Sequence, residues 1–196
     1  MPVVGTTPVG DLLAALGAKT PSPGGGATAA LAAALGAAQL RMVAEYSAWE
    51  SGAPDPRAAL GAAVAHLTDL AQRDADEYAR FDAARKTRKE NPEGFAQAKA
   101  AILEVPVAML ESAVGALRTA PAILARAPAW FVCDLAIAVG CLQAAFEGAY
   151  LLTVANVKPL APTVRHPGVG DRVIMARAEF DGLVRSLSPR LLTRLG

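Results

Sequence analysis

Hydrophobic residues along most of this chain recur every three or four positions, which is the spacing of one face of an α-helix. Few segments show the two-residue alternation of a half-buried strand. Proline and glycine residues separate the periodic stretches from one another. The pattern predicts helices over about residues 9–16, 27–49, 56–85, 92 to beyond 106, 121–128, 132–157 and from 171 onwards.

The 196 residues are enough for one domain with a sizeable core. We expect a single all-α domain over residues 1–196, built as a bundle of about six helices with long central ones. Pro106 lies inside the fourth helix and should kink it, because proline lacks a backbone N–H. Residues 158–196 are expected to hold a Pro/Gly-rich loop and a C-terminal amphipathic helix that Asp171 caps.

The composition narrows the class of protein. Hydrophobic residues make up 53% of the chain but aromatic residues only 5%, so tight contacts between small side chains should form the core. A net charge of +1 lacks the basic excess of a nucleic-acid binder, and we expect no nucleic-acid partner.

The mean hydropathy of +0.31 raises the question of a membrane protein. The longest uncharged stretches, 27–40 and 135–146, are shorter than the roughly 20 residues of a membrane span. We therefore expect buried helices and no membrane partner. No export signal is evident, and Cys133 and Cys141 lack a metal-ligand spacing, so the sequence favours a cytoplasmic protein without a metal.

One carboxylate interrupts the apolar face of the third predicted helix. That face carries Leu60, Val64, Leu67, Ala71, Asp74, Tyr78 and Phe81. A buried, unpaired carboxylate is costly or has a raised pKa, so Asp74 needs a partner or a purpose. Two interpretations stay open at this point. Asp74 is either a structural acid paired with an arginine or a helix end, or a carboxylate that moves protons or holds a cationic ligand.

The segment before the second helix, Thr20–Gly26, reads TPSPGGG. Three glycines that run into a helix N-terminus leave backbone N–H groups open to an anion or a carbonyl oxygen. Two prolines just before them argue against a merely flexible connector. Pro23, Gly24, Gly25 and Gly26 are therefore candidate ligand-binding residues.

Two further charged features have good structural explanations. Asp134 begins an apolar helix, where the helix dipole stabilises an acid. Arg85, Lys86, Arg88 and Lys89 form a basic run at the end of the third helix, where cations are common, although a polyanionic tail could dock there.

Taken in order, these features resemble the cyclodeaminase/cyclohydrolase family, which acts on one-carbon derivatives of folate. The similar segments are the Pro-flanked Gly24–Gly26 loop with the alanine-rich helix behind it, Asp74 followed by Tyr78, Lys89 before Asn91-Pro92-Glu93, Glu104-Val105-Pro106, Cys133-Asp134, and Gly148 through Asn156. The resemblance covers nearly the whole chain, to about Lys158.

The resemblance implies an all-helical homodimer that binds a folate and needs no cofactor beyond the tetrahydrofolate substrate. It implies catalytic roles for Asp74 and Lys89, and substrate binding by the glycine loop, Asp134 and Asn156. The implied reaction is hydrolysis of methenyltetrahydrofolate to formyltetrahydrofolate. Ring closure of formiminotetrahydrofolate with loss of ammonia is the alternative, and the lack of a formiminotransferase segment favours the hydrolysis.

Four places depart from the family pattern, all near the expected site. Ala27 and Cys133 replace serines, Leu152 replaces an asparagine, and a Gly-Asn pair is replaced around Ala127-Pro128. These departures leave two further alternatives open beside an enzyme. One is a folate-binding homologue without catalysis, and the other is a helical interaction protein whose buried acids are structural.

Overall fold

A computed structural model describes residues 3–157 and 168–196, and within these residues it contains helices and no strand. The predicted all-α bundle with long central helices is confirmed. The elements are α1 (Val9–Leu16), α2 (Gly25–Glu45), α3 (Arg57–Lys86), α4 (Pro92–Leu117), α5 (Ala120–Arg126), a 3₁₀ turn (Ala129–Phe131), α6 (Val132–Val157) and α7 (Val169–Leu195).

Helix α2 lies at the centre of the bundle, packed along α6 on one side and α3 on the other. Its buried face consists almost entirely of alanine and glycine. A Cβ atom at Gly36 would lie 2.9 Å from the Ala138 carbonyl oxygen and 2.8 Å from the Leu142 Cγ, so only glycine allows α6 to come this close. The small side chains therefore set the distance between the two central helices.

Helix α4 runs from Pro92 to Leu117 with Pro106 inside it, and one helix of the bundle is bent by 25°. The Asn91 Oδ1 accepts a hydrogen bond from the Gly94 N–H at 2.9 Å and so caps the start of the helix. The predicted interruption by proline thus falls in the middle of a long helix that packs against α3 and α6.

Helix α7 begins earlier than the sequence indicated. Its N-terminal cap is Gly168, with φ of 82°, and the predicted cap Asp171 lies inside the first turn. Glycine adopts this left-handed conformation at no steric cost, which explains the change. Arg172 then joins α7 to α4 through Glu104 at 2.8 Å and Glu111 at 2.7 Å. Most of the loop expected before α7 lies outside the described residues.

Three helical stretches of the described chain are long and apolar enough to cross a membrane, judged by length and composition: Gly25–Glu45, Pro92–Arg126 and Ala129–Val157. The first two have 56% of their most apolar window buried in the bundle, but the third has only 39%. The short length of the uncharged stretches therefore distinguishes these helices from membrane spans less sharply than the sequence indicated. The absence of a membrane partner stays a prediction.

Candidate functional site

A cavity of about 260 Å³ lies where the glycine loop meets α3, α4 and the C-terminal part of α6. The loop residues Gly24, Gly25 and Gly26 form one wall, and Asp74 lies beside them on α3. These are four of the residues that the sequence marked as candidates. The fold brings them together because the N-terminus of α2 packs against the middle of α3.

The apolar face of α3 explains how Asp74 reaches the cavity. Leu60, Leu67 and Ala71 on this face are buried in the core. Beyond Ala71 the same face leaves the core, and Asp74 and Tyr78 line the cavity. Asp74 is thus half-buried at a cavity wall, where we had expected a fully buried position.

The carboxylate of Asp74 meets the N-terminus of α2. The Ala27 backbone N–H donates a hydrogen bond to it. A Cβ atom placed on Gly26 would overlap the carboxylate, so the two residues are in close contact. The structural interpretation of Asp74 therefore holds, because it binds a helix end. The functional interpretation also stays open, because the same carboxylate faces a cavity.

Burial raises the pKa of the Asp74 carboxyl above its usual range, and the hydrogen bond from the Ala27 amide opposes part of that rise. A carboxyl group with a raised pKa gains and loses a proton closer to neutral pH than an exposed aspartate. Such a group at a cavity wall suits general acid–base chemistry.

The loop itself is shaped by Pro23, which is buried and follows a cis Ser22–Pro23 peptide bond. Pro23 does not line the cavity, whereas Pro21 and Ser22 do. Gly25 has open space where a side chain would be, in contrast to Gly26. Pro23 thus lies on the buried side of the loop, and the three glycines form the surface that faces the cavity.

Asn156, the last candidate that reaches the cavity, lies on α6 one turn after Leu152. Its Nδ2 atom donates a hydrogen bond to the Ile102 carbonyl oxygen on α4 at 3.0 Å. Leu152 also lines the cavity, so the departure from the family pattern at this position places an apolar side chain beside Asn156.

Two predicted site residues lie away from this cavity. Lys89 is exposed in the turn between α3 and α4 and does not line it. Asp134, in the first turn of α6, accepts a hydrogen bond from the Gln39 Nε2 at 2.8 Å. Asp134 therefore lies at the N-terminus of α6, as the helix-dipole interpretation expects, and the Gln39 side chain of α2 binds its carboxylate. The structure does not bring either residue to Asp74.

Sequence reasoning missed Lys99 and Glu77, which both line the cavity. Lys99 also borders an adjoining groove with Arg85, Lys86 and Arg88. Its Nζ atom lies 5.3 Å from the centre of the Phe95 ring. The spacing of Lys99 and Ile102, one helical turn apart, was the signal that could have placed this lysine on the inner face of α4.

The cavity therefore has opposite charge at its two sides. The Asp74 and Glu77 carboxylates lie on α3, and Glu77 is paired with Arg80 at 2.7 Å. Lys99 on α4 lines both the cavity and the adjoining basic groove, which also contains Arg85, Lys86 and Arg88. Within residues 3–157 and 168–196, no group of three or more histidine, cysteine or acidic side chains could hold a metal ion. A site without a metal or cofactor stays a prediction.

The 2.80 Å crystal structure of formiminotetrahydrofolate cyclodeaminase from Thermotoga maritima matches with a TM-score of 0.84 and 18% sequence identity. The match covers 98% of this chain and 97% of that chain. No curated protein sequence gives a significant match.

A sequence model of the formiminotransferase-cyclodeaminase family matches residues 8–163. This range includes α1 to α6 and every element that lines the cavity, while α7 lies beyond it. The family resemblance drawn from the sequence is confirmed: the chain belongs to the formiminotransferase-cyclodeaminase family.

Proposed function

We propose that this protein is a folate enzyme of the cyclodeaminase type, which closes the ring of formiminotetrahydrofolate and releases ammonia. The observation that carries the proposal is the position of Asp74. It is a carboxyl group with a raised pKa, held by the Ala27 amide at the wall of a cavity. Family membership and the shared fold support the same assignment.

The cavity suits the two ends of a folate. The glycine loop offers a wall without side chains, against which a flat ring can lie closely. The formimino group is an amidine, and its protonated form would pair with the Asp74 carboxylate. Folates end in glutamate carboxylates, which Lys99 and the neighbouring basic groove would attract.

In the proposed reaction the N10 nitrogen attacks the carbon of the protonated formimino group at N5. The N10–H proton leaves, the carbon–nitrogen bond to the former imino group breaks, and ammonia departs. The product is the methenyl cation, so charge and atoms balance. Asp74 would accept the proton from N10 and return it to the departing nitrogen, which requires a pKa closer to neutral than that of an exposed aspartate.

Hydrolysis of methenyltetrahydrofolate, the reaction that the sequence favoured, is the second candidate. The cavity that releases the methenyl cation in ring closure would hold the same cation as a substrate. In that case Asp74 would take a proton from water as it adds to the amidinium carbon. The half-buried carboxylate beside open space supports both reactions.

One assay with two substrates tests the proposal, because methenyltetrahydrofolate has its own ultraviolet absorbance. With formiminotetrahydrofolate we expect this absorbance to rise well above the rate without protein, together with release of ammonia. With methenyltetrahydrofolate, a faster loss of absorbance would instead assign the hydrolase. Tetrahydrofolate binding without either change would make the protein a non-catalytic homologue, and no binding would leave a structural helical protein.

The family departure at Ala27 does not weaken the catalytic proposal. The contact with Asp74 uses the backbone N–H of Ala27, which alanine supplies as well as serine does. The side chain of Ala27 is fully buried, and Cys133 is exposed in the first turn of α6. Leu152 is the departure that changes the polarity of the cavity wall.

Lys99 and Lys89 lead to predictions of different size for the KM of the folate. We expect Lys99→Met to raise KM for the folate about tenfold, roughly 1.4 kcal/mol, because the methionine keeps the length but removes the cation at the cavity. Lys89→Met should change KM less, since that side chain is exposed and outside the cavity. Steady-state kinetics of both variants measure the effect. A larger loss in Lys89→Met would restore the role that the family resemblance implied.

We also propose that the protein forms a homodimer through α6. Trp130, Ile137, Ala144 and Leu151 follow one another at seven-residue intervals along this helix and its preceding turn, and all are exposed. Ile137 is 60% and Leu151 64% exposed, and α2 adds Leu35 at 65%. Large apolar side chains repeated along one exposed helix face are typical of an interface.

For this proposed dimer we expect Ile137→Lys to halve the molar mass measured by light scattering, since a charge in the centre of a buried interface is costly. Ile174→Lys is the matched control, because Ile174 is as exposed as Ile137 but lies on α7. A wild-type protein that is already monomeric at micromolar concentration would contradict the dimer.

The described cysteines are free, and we propose a cytosolic protein on this ground.

A further inference from the structure

The proline inside α4 leaves one backbone carbonyl without its helical donor. In a regular helix the carbonyl of residue 102 accepts a hydrogen bond from the N–H of residue 106. Pro106 has no N–H, so the Ile102 carbonyl needs another donor. The Asn156 Nδ2 atom on α6 donates to that oxygen at 3.0 Å, across 54 positions of sequence.

The α4 segment that carries this carbonyl is held from its other side by α7. Leu103 and Val107 are buried against Val169 and Val173. The guanidinium of Arg172 binds the Glu104 carboxylate at 2.8 Å. Because α7 packs against this α4 segment, the segment cannot easily rotate to expose the Ile102 carbonyl to solvent. A carbonyl left there without a hydrogen bond would therefore be costly.

We infer that Asn156 is a positioning residue of the cavity, and that Pro106 fixes the direction in which its side-chain amide faces. The amide has a nitrogen end and an oxygen end, and a flipped amide would place its Oδ1 against the Ile102 carbonyl, with no proton between two acceptors. The Oδ1 atom therefore takes a defined place at the cavity wall.

This inference rests on the proposed function for the identity of the ligand. A folate ring carries N–H groups along its edge, and an acceptor of fixed direction selects a ring orientation in which an N–H faces it. Leu152, one turn before Asn156 on the same wall, offers no polar atom. Asn156 is thus the side-chain amide that α6 contributes to the cavity. The fixed direction of this amide determines the orientation in which the folate ring binds.

Two sets of substitutions separate the contact with the protein from the contact with the ligand. In Pro106→Ala the new N–H at position 106 can bond to the Ile102 carbonyl, so that oxygen no longer depends on Asn156. Asn156→Ala removes both ends of the amide. Asn156→Asp, in its ionised form, keeps an acceptor for the ligand and has no donor for the Ile102 carbonyl. Each Asn156 variant is made both in the wild-type background and in the Pro106→Ala background.

Thermal unfolding without ligand measures the protein contact. We expect Asn156→Ala to lower Tm by roughly 3–8 °C in the wild-type background, and by less than about half as much in the Pro106→Ala background. Asn156→Asp should follow the same pattern. Equal decreases in both backgrounds would overturn the link between Asn156 and Pro106.

Binding of tetrahydrofolate by calorimetry measures the ligand contact, a readout that a purely structural role would not change once Pro106→Ala has relieved the unmet carbonyl. In that background we expect Asn156→Ala to weaken binding about tenfold and Asn156→Asp to keep most of it. Equal affinity with and without Asn156→Ala would overturn the positioning role. If wild type itself fails to bind tetrahydrofolate, the proposed function fails, and the unfolding series still decides the contact with Ile102.

Discussion

Asp74→Asn is expected to lower kcat by a factor of about 10² to 10⁴ with a smaller change in KM. Asparagine has the same size, and its side-chain oxygen can still accept the hydrogen bond from the Ala27 amide. The substitution therefore preserves the contact between α2 and α3 and removes only the proton-carrying group. Turnover of formiminotetrahydrofolate and of methenyltetrahydrofolate by the same preparation is the measurement.

The stability of Asp74→Asn should change in the opposite direction from its activity. Because burial raises the pKa of Asp74 in the folded protein, the folded state favours the protonated carboxyl. Wild type therefore loses stability as pH rises from the unfolded-state value near 3.8 through the folded-state value. Asparagine does not titrate, so the variant gains relative stability across this window, keeps that gain at neutral pH, and has none below the window.

Asp69→Asn is the matched control, because Asp69 is an exposed acid on the same helix. It should alter neither turnover nor the free energy of unfolding by more than a surface substitution does. An Asp74→Asn protein with full activity would exclude Asp74 as the acid–base group. If the variant is both inactive and unfolded, the loss of activity follows from the lost contact with the N-terminus of α2. Asp74 would then be a helix cap and not an acid–base group.

The sequence predicted much of this architecture, because helical periodicity and proline positions depend on local chemistry. It also singled out Asp74, since one carboxylate on a long apolar face is conspicuous in a single sequence. It did not predict that the apolar face opens to a cavity beyond Ala71. That change depends on how α2 and α4 pack against α3, which is tertiary information.

The lysine at the cavity shows why the rest of the site was harder to predict. The sequence indicates Lys89 only through its order in the chain, ahead of Asn91-Pro92-Glu93. Lys99 reaches the cavity because α4 folds back along α3 and turns the face with Ile102 inward. Asn156 lines the cavity, and its substrate-binding role stays a prediction. Its contact with Ile102 joins two helices across the bundle and leaves no trace in local spacing.

Gly26→Ala is expected to disable the site from the opposite side of the same contact. The added Cβ would occupy the space of the Asp74 carboxylate, which must move away from the Ala27 amide. We expect kcat to fall by roughly the same factor as in Asp74→Asn, and the free energy of unfolding to fall by about 1–3 kcal/mol from overpacking. Kinetics and denaturant unfolding measure the two effects.

Gly25→Ala is the matched control for stability, because a Cβ at Gly25 meets nothing within 4 Å. It adds the same methyl group one residue earlier and should leave the free energy of unfolding within about 0.5 kcal/mol of wild type. A loss of stability as large as that of Gly26→Ala would mean that the loop resists any side chain, and that the space around Asp74 is not the cause.

The double variant Gly26→Ala with Asp74→Ala tests whether the two side chains compete for the same space. Removal of the Asp74 carboxylate frees the space that the new methyl group needs, so much of the lost stability should return while activity stays absent. The two single substitutions would then be strongly non-additive in stability. Additive losses would show that Gly26 and Asp74 act independently, and the close approach of helix α2 to a carboxylate would no longer explain why glycine stands at this position.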